Sequence, residues 1–207
     1  MTAPLLVAAF ASYFLGAIPT SHWVALGLKG VDLRTVGSGN LGATNLYRQL
    51  GWRYAVPVGL FDLLKGTIPV AVFGPWAGTG EVGALLLGVI AVFGHVFSLF
   101  VGFKGGKGVA TGGGIVLGLA PWAFLAALVV WAIAVRLSGY VSLGSILAAL
   151  TLPPAVWFLH PLHRAVVPWL TALSALVIWF HRSNIRRLLA GSENRFGTRR
   201  SSPMAGQ

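Results

Sequence analysis

Apolar residues fall in seven runs along this chain, at 4–25, 54–74, 82–101, 111–120, 122–136, 141–159 and 165–180. A membrane-spanning helix needs roughly 20 apolar residues, within a range of about 17–25, and most of these runs are long enough. The run 111–120 is too short for a full crossing and ends before Pro121. Together with 122–136 it reads as a hairpin of two short or tilted helices that turns near Ala120, Pro121 and Trp122. Reading 111–136 as one long broken helix would give six crossings in place of seven. The first run starts at Pro4 with no basic leader and no convincing small-residue cleavage site, so it reads as a retained span rather than a signal peptide. Between the runs the chain is polar, and two stretches are rich in glycine: GSGNLGATN at 37–45 and GFKGGKGVATGGG at 102–114.

Composition narrows the class. Of 207 residues 56% are hydrophobic and 9% charged, so lipid must cover most of the surface; ordinary soluble domains carry about 25% charged residues. The expectation is an all-α polytopic membrane protein of about seven transmembrane helices. Residues 1–197 would form a single domain, with a polar, basic tail at 198–207 that frays. The absence of cysteine excludes disulfides and thiolate metal sites. Trp23, Trp52, Trp76, Trp122, Trp157 and Trp179 lie near the predicted span ends, where interfacial aromatics belong.

Net charge is +11, with four acids only: Asp32, Asp62, Glu81 and Glu193. Basic residues beside spans mark cytoplasmic loops, and the aqueous surface is too small for a nucleic-acid-binding domain. The partner in bulk is membrane lipid, whose anionic headgroups basic loops hold. With seven crossings one side receives 26–53, 102–110, the connector Arg136 to Tyr140, and everything from His181. Of the fifteen Lys and Arg, only Arg164 falls on the other side, and Lys65 lies inside a span. That asymmetry favours seven over six. It places the N-terminus outside, the C-terminus in the cytoplasm, and both glycine-rich stretches on the cytoplasmic face.

The two stretches carry the candidate chemistry. Residues 32–51 set glycines, Ser38, Asn40, Thr44 and Asn45 between Arg34 and Arg48. Backbone N–H, hydroxyl, amide and guanidinium donors gathered in this way suit phosphate or acyl-phosphate oxygens. The second stretch resembles a nucleotide P-loop only superficially, because Lys107 precedes Gly108 and Val109 rather than Ser or Thr. It leads into a helix starting near Val109, whose N-terminus attracts anions. At 181–194, His181, Asn184 and Arg187 are spaced three apart, with Ile185, Leu188 and Leu189 as an apolar stripe. This is an amphipathic interfacial helix, either an anchor or part of a site. Ser142 and Ser145 are helix-capping hydroxyls or ligand contacts. Asp62 and Lys65, three apart within a span, neutralise each other. His95 reads as a packed polar residue, and His160 and His163 as surface residues. No His and carboxylate set has metal-ligand spacing on the active side, and no metal or cofactor is called for.

GSGNLGATN followed by Arg48, GFKGGKGVAT, GYVSLGS and HRSNIRRLLAGSEN, in this order, resemble the bacterial PlsY family. Its members are membrane-integral acyl-phosphate:glycerol-3-phosphate acyltransferases. The resemblance implies transfer of a fatty acyl group from acyl phosphate to the 1-hydroxyl of sn-glycerol 3-phosphate. The products would be 1-acylglycerol 3-phosphate (lysophosphatidic acid) and phosphate, at the cytoplasmic face of the inner membrane. It implies His181, Asn184, Ser38 and Arg48 as catalytic residues. Gly37, Ser38, Gly39, Asn40, Gly42, Thr44 and Asn45 would hold the acyl phosphate. Arg48, Lys104, Gly105, Gly106, Lys107, Gly108, Ser142 and His181 would hold glycerol 3-phosphate, with Glu193 and Asp62 structural. The enzyme that makes acyl phosphate is a further candidate partner. The other glycerol-phosphate acyltransferase class uses His-x4-Asp, and no histidine here has Asp five positions on. The hydroxyl proton goes either to His181 or to the acyl phosphate's own oxygens. A transporter of a phosphate ester and a lipid-binding scaffold are the competing readings.

Overall fold

The computed structural model describes residues 2–196. Their regular structure is helical, in the order α1 (Ala3–Ala17), α2 (Thr20–Lys29), α3 (Ala43–Leu50), α4 (Trp52–Ile68), α5 (Gly74–Trp76), α6 (Glu81–Val96), α7 (Val109–Leu119), α8 (Pro121–Ser138), α9 (Val141–Leu159), α10 (Val167–Phe180) and α11 (Arg182–Leu189). The tail expected at 198–207 lies outside the described residues. Six stretches are long and apolar enough to cross a membrane: Ala3–Lys29, Trp52–Trp76, Glu81–Val101, Pro121–Ser138, Val141–Leu159 and Pro161–Phe180. α7 is shorter, with 11 residues. Ala120, at φ −145° and ψ 71°, separates it from α8, so the break falls where the apolar runs end.

Two expectations change. The run 4–25 is not one helix: it breaks between α1 and α2 at Ile18 and Pro19. Proline has no N–H to continue the ladder, and it drives the preceding residue out of the helical region; Ile18 sits at ψ 112°. The carbonyls freed there are recaptured by side chains from distant parts of the chain. Ser98 Oγ donates to Ala17 O at 2.5 Å, and Lys65 Nζ donates to Ile18 O at 2.6 Å. The polar stretch 37–51 is not all loop either, because α3 occupies its second half. Leu46 on α3 is buried with Leu33, Leu41 and Val58, which pins this segment against α4.

Small residues bring helix backbones into contact, as membrane helices require where no side chain can fill the gap. A Cβ on Gly114 would lie 1.9 Å from Leu63 O, and one on Gly66 would lie 1.9 Å from Thr111 O. α4 and α7 therefore touch backbone to backbone, and Thr67 Oγ1 donates to Gly114 O across the contact at 3.0 Å. Gly114, counted with the glycine stretch 102–114, belongs to this helix contact. Near it, Lys65 and Asp62 are buried and paired at 2.6 Å, with His95 Nδ1 3.9 Å from the same Asp62 oxygen.

Candidate active site

The polar segments converge on one cleft of about 660 Å3. Ser38, Asn40, Gly42, Thr44 and Arg48 line it from the first stretch and α3, and Lys107 and Gly108 from the second. Ser142 joins from α9, His181 and Asn184 from the α10–α11 junction, and Glu193 from the segment after α11. The opposite end of the cleft is apolar, walled by Leu60, Leu63, Phe124, Trp131, Leu152 and Leu170.

The donors are organised around one carboxylate. Glu193 Oε1 accepts from Ser142 Oγ at 2.9 Å and from Asn184 Nδ2 at 2.6 Å. Its other oxygen accepts from Arg187 Nε at 2.6 Å. Asn184 turns its Oδ1 to the Lys107 ammonium, so the amide links cation to carboxylate. Burial is the largest influence on the Glu193 pKa and raises it, but these three hydrogen bonds together leave it below the usual carboxylate value. Burial moves the Lys107 ammonium down to about 8, and Arg187 and Arg48 push the same way. Arg48 reaches the Asn194 carbonyl at 3.4 Å, while its Nε is buried with no partner among the described residues. An orphaned guanidinium N–H near a half-buried ammonium suits an anionic ligand.

His181 is buried, and its Nδ1 lies 2.8 Å from Val177 O. That geometry fits a proton on Nδ1 and leaves Nε2 as the acceptor. Burial pushes its pKa down to about 4, so the ring is neutral at physiological pH. Phe196 stacks on Tyr47 at 4.6 Å, and its N–H donates to Gly139 O at 2.6 Å. The segment after α11 is thereby strapped across the polar end.

Several expected residues serve the loops rather than the cleft. Asn45 lines the cleft, yet its amide is used on its own stretch. It accepts from Ser38 N–H at 3.2 Å and donates to Leu33 O and Val36 O at 3.1 Å each. Gly37, at φ +61°, leaves room for it: a Cβ there would lie 2.2 Å from Asn45 Oδ1. The backbone nest expected at 105–106 is already filled. Gly105 N–H donates to Val96 O at 2.9 Å and Gly106 N–H to His95 O at 3.0 Å. Both glycines are needed for that approach, since a Cβ on Gly105 would lie 2.0 Å from His95 O. Lys104, Gly39 and Gly105 line a different cavity and do not join the cleft. Conversely, Asp62, His95 and Ser145 line the cleft. In the sequence Asp62 read only as a paired residue and His95 as a packed one, while Ser145 read as either a capping hydroxyl or a ligand contact.

A basic polar end continuous with an apolar bore, inside a bundle of membrane-length helices, defines an integral membrane protein built to handle an amphiphilic anion. The family profile for glycerol-3-phosphate acyltransferase matches residues 6–191. A glycerol-3-phosphate acyltransferase of Chlorobaculum tepidum is 40% identical, over 89% of this chain and 93% of its own. Glycerol-3-phosphate acyltransferase 1 of Deinococcus radiodurans is 44% identical, over 95% and 98%. The crystal structure of PlsY, an integral membrane glycerol 3-phosphate acyltransferase, in its glycerol 3-phosphate form superposes with a TM-score of 0.85 at 42% identity, covering 94% of this chain and 96% of that one. Its lysophosphatidic acid form gives 0.81 at 41% identity with the same coverage. The chain belongs to the glycerol-3-phosphate acyltransferase family of PlsY.

Proposed function

We propose that the protein moves a fatty acyl group from acyl phosphate to the 1-hydroxyl of sn-glycerol 3-phosphate, giving lysophosphatidic acid and phosphate. The observation that carries this is the cleft itself. Lys107, the unpaired Nε of Arg48, and the Ser142 and Asn184 donors share one cleft of about 660 Å3 with an apolar lining suited to an acyl chain. Such a site brings two mutually repelling phosphates together, and proximity of this kind is worth about 7–11 kcal/mol. Ser38, Asn40, Thr44 and the first N–H groups of α3 suit the acyl phosphate. Arg48, Lys107, Ser142 and His181 suit glycerol 3-phosphate.

The hydroxyl oxygen attacks the acyl carbonyl carbon, and the bond from that carbon to the phosphate oxygen breaks. The hydroxyl proton passes to an oxygen of the departing phosphate. A substrate oxygen is favoured as acceptor because a buried His181 with a pKa of about 4 is a weak base. Its Nε2 serves to position the hydroxyl.

The chain is read as crossing the bacterial inner membrane seven times, α7 and α8 being two of the crossings, with the N-terminus outside and the cleft's polar end toward the cytoplasm. The concentration of Lys and Arg on one side supports this. Purified protein in detergent, given acyl phosphate and glycerol 3-phosphate, should release phosphate and lysophosphatidic acid in equal amounts. No product, together with uptake of the phosphate ester into proteoliposomes, would favour a transporter instead.

A further inference from the structure

A second cavity, of about 610 Å3, borders the same two glycine stretches and shares no lining residue with the cleft. Arg34, Lys104 and Arg182 line it, and no acid among the described residues does. Arg34 holds Asp32 through Nε and its second terminal nitrogen, at 2.7 Å for the latter, which leaves its other terminal nitrogen open. Arg182 lies over the Trp179 ring at 5.2 Å and donates to Trp179 O, with no acid partner among the described residues. Lys104 is exposed and has no hydrogen-bond or ionic partner among the described residues.

The groove also has an apolar wall that a soluble anion does not need. Phe97, Phe103 and Trp179 line it at 40%, 62% and 62% exposure. Phe103 is held at φ +60°, the one non-glycine residue with positive φ among the described residues. A bulky side chain in the left-handed region is strained, and such strain gathers at ligand sites. It is fixed there by its N–H, which donates to Ser98 O at 2.8 Å. Cations beside exposed aromatic faces match an amphiphile with a terminal phosphate lying at the membrane surface.

We infer that this groove is a second phosphate site, beside the cleft, for the terminal phosphate of a single-chain lipid. The acyl-transfer reading supplies the two lipids concerned, acyl phosphate before transfer and lysophosphatidic acid after it. The soluble ester glycerol 3-phosphate shares the phosphate but would leave the aromatic wall uncovered.

Native mass spectrometry in detergent with added lysophosphatidic acid should show two lipids bound to the wild type. It should show one bound to Lys104→Gln/Arg182→Gln. In nanodiscs the double variant should raise the KM for acyl phosphate about tenfold, the scale of lost charge-assisted contacts. Unchanged lipid counts with a raised KM for glycerol 3-phosphate would overturn the lipid site in favour of the soluble ester. If neither lipid count nor either KM moves, the inference is overturned. It is also overturned if Arg186→Gln, an exposed arginine outside the groove, has the same effect, since surface charge alone would then suffice. The lipid count needs no turnover. A wild type that loses a lipid on mutation yet transfers no acyl group would remove the proposed reaction and leave the groove standing.

Discussion

Lys65→Met tests whether the buried ion pair at the centre of the bundle is held by mutual need. The side chain of Lys65 is 0% exposed and that of Asp62 is 4% exposed. Removing the ammonium strands a buried carboxylate whose nearest remaining titratable neighbour is the His95 ring, 3.9 Å away. Breaking a buried pair from one side costs about 3–5 kcal/mol. Loss of the hydrogen bond to Ile18 O adds about 1 kcal/mol. The double variant Asp62→Leu/Lys65→Met removes both charges and gives up only that last bond, so it should lose about 1–2 kcal/mol. The double variant should therefore be about 3 kcal/mol more stable than Lys65→Met alone. With no cysteine, thiol dyes are useless here, but the eight tryptophans report unfolding in detergent through intrinsic fluorescence. A double variant as unstable as Lys65→Met, or more so, would refute the reasoning.

The other predictions concern the cleft. Lys107, with its pKa lowered to about 8, must be charged to hold phosphate, so kcat/KM for glycerol 3-phosphate should fall as pH rises through about 8; in Lys107→Arg this fall should move out of reach, because guanidinium stays charged. His181→Gln should keep substantial turnover at saturating substrates. Loss of turnover with unchanged substrate binding would make His181 an obligatory base. Glu193→Gln should destabilise the protein by about 1.5–3 kcal/mol near neutral pH, since three donors lose a charged acceptor. The Glu193 pKa is lowered in the folded state, so the wild-type advantage is present above the ordinary carboxylate range and is lost as pH falls through it. Melting curves from pH 7 to pH 3 should converge for the two proteins.

Membrane character, the span limits near 141–159 and the start of α7 were legible because long apolar runs and a glycine before a helix act locally. The break at Ile18 was missed, although Pro19 stood within the run. Its carbonyls are satisfied by Lys65 and Ser98, which are 47 and 81 positions away. The glycine stretches stood out in the sequence, yet not every glycine in them borders the cleft. Glycine allows a backbone to approach a ligand or another backbone, and spacing along the chain does not say which. At 105 and 106 the partner proved to be the end of α6. Lys104 and Lys107, three residues apart, face different cavities. Glu193 looked like a tether and is also the acceptor on which the cleft's donors are arranged.

The strap after α11 has a consequence for biosynthesis. Glu193 and Phe196 leave the ribosome after the last apolar helix, and they complete the polar end of the cleft. A nascent chain with every preceding helix inserted still lacks the acceptor that orders Ser142, Asn184 and Arg187. Competence would then arrive as a late event, after insertion, rather than growing helix by helix. Truncation just past Leu189 would yield a bundle that integrates normally and cannot assemble its donors.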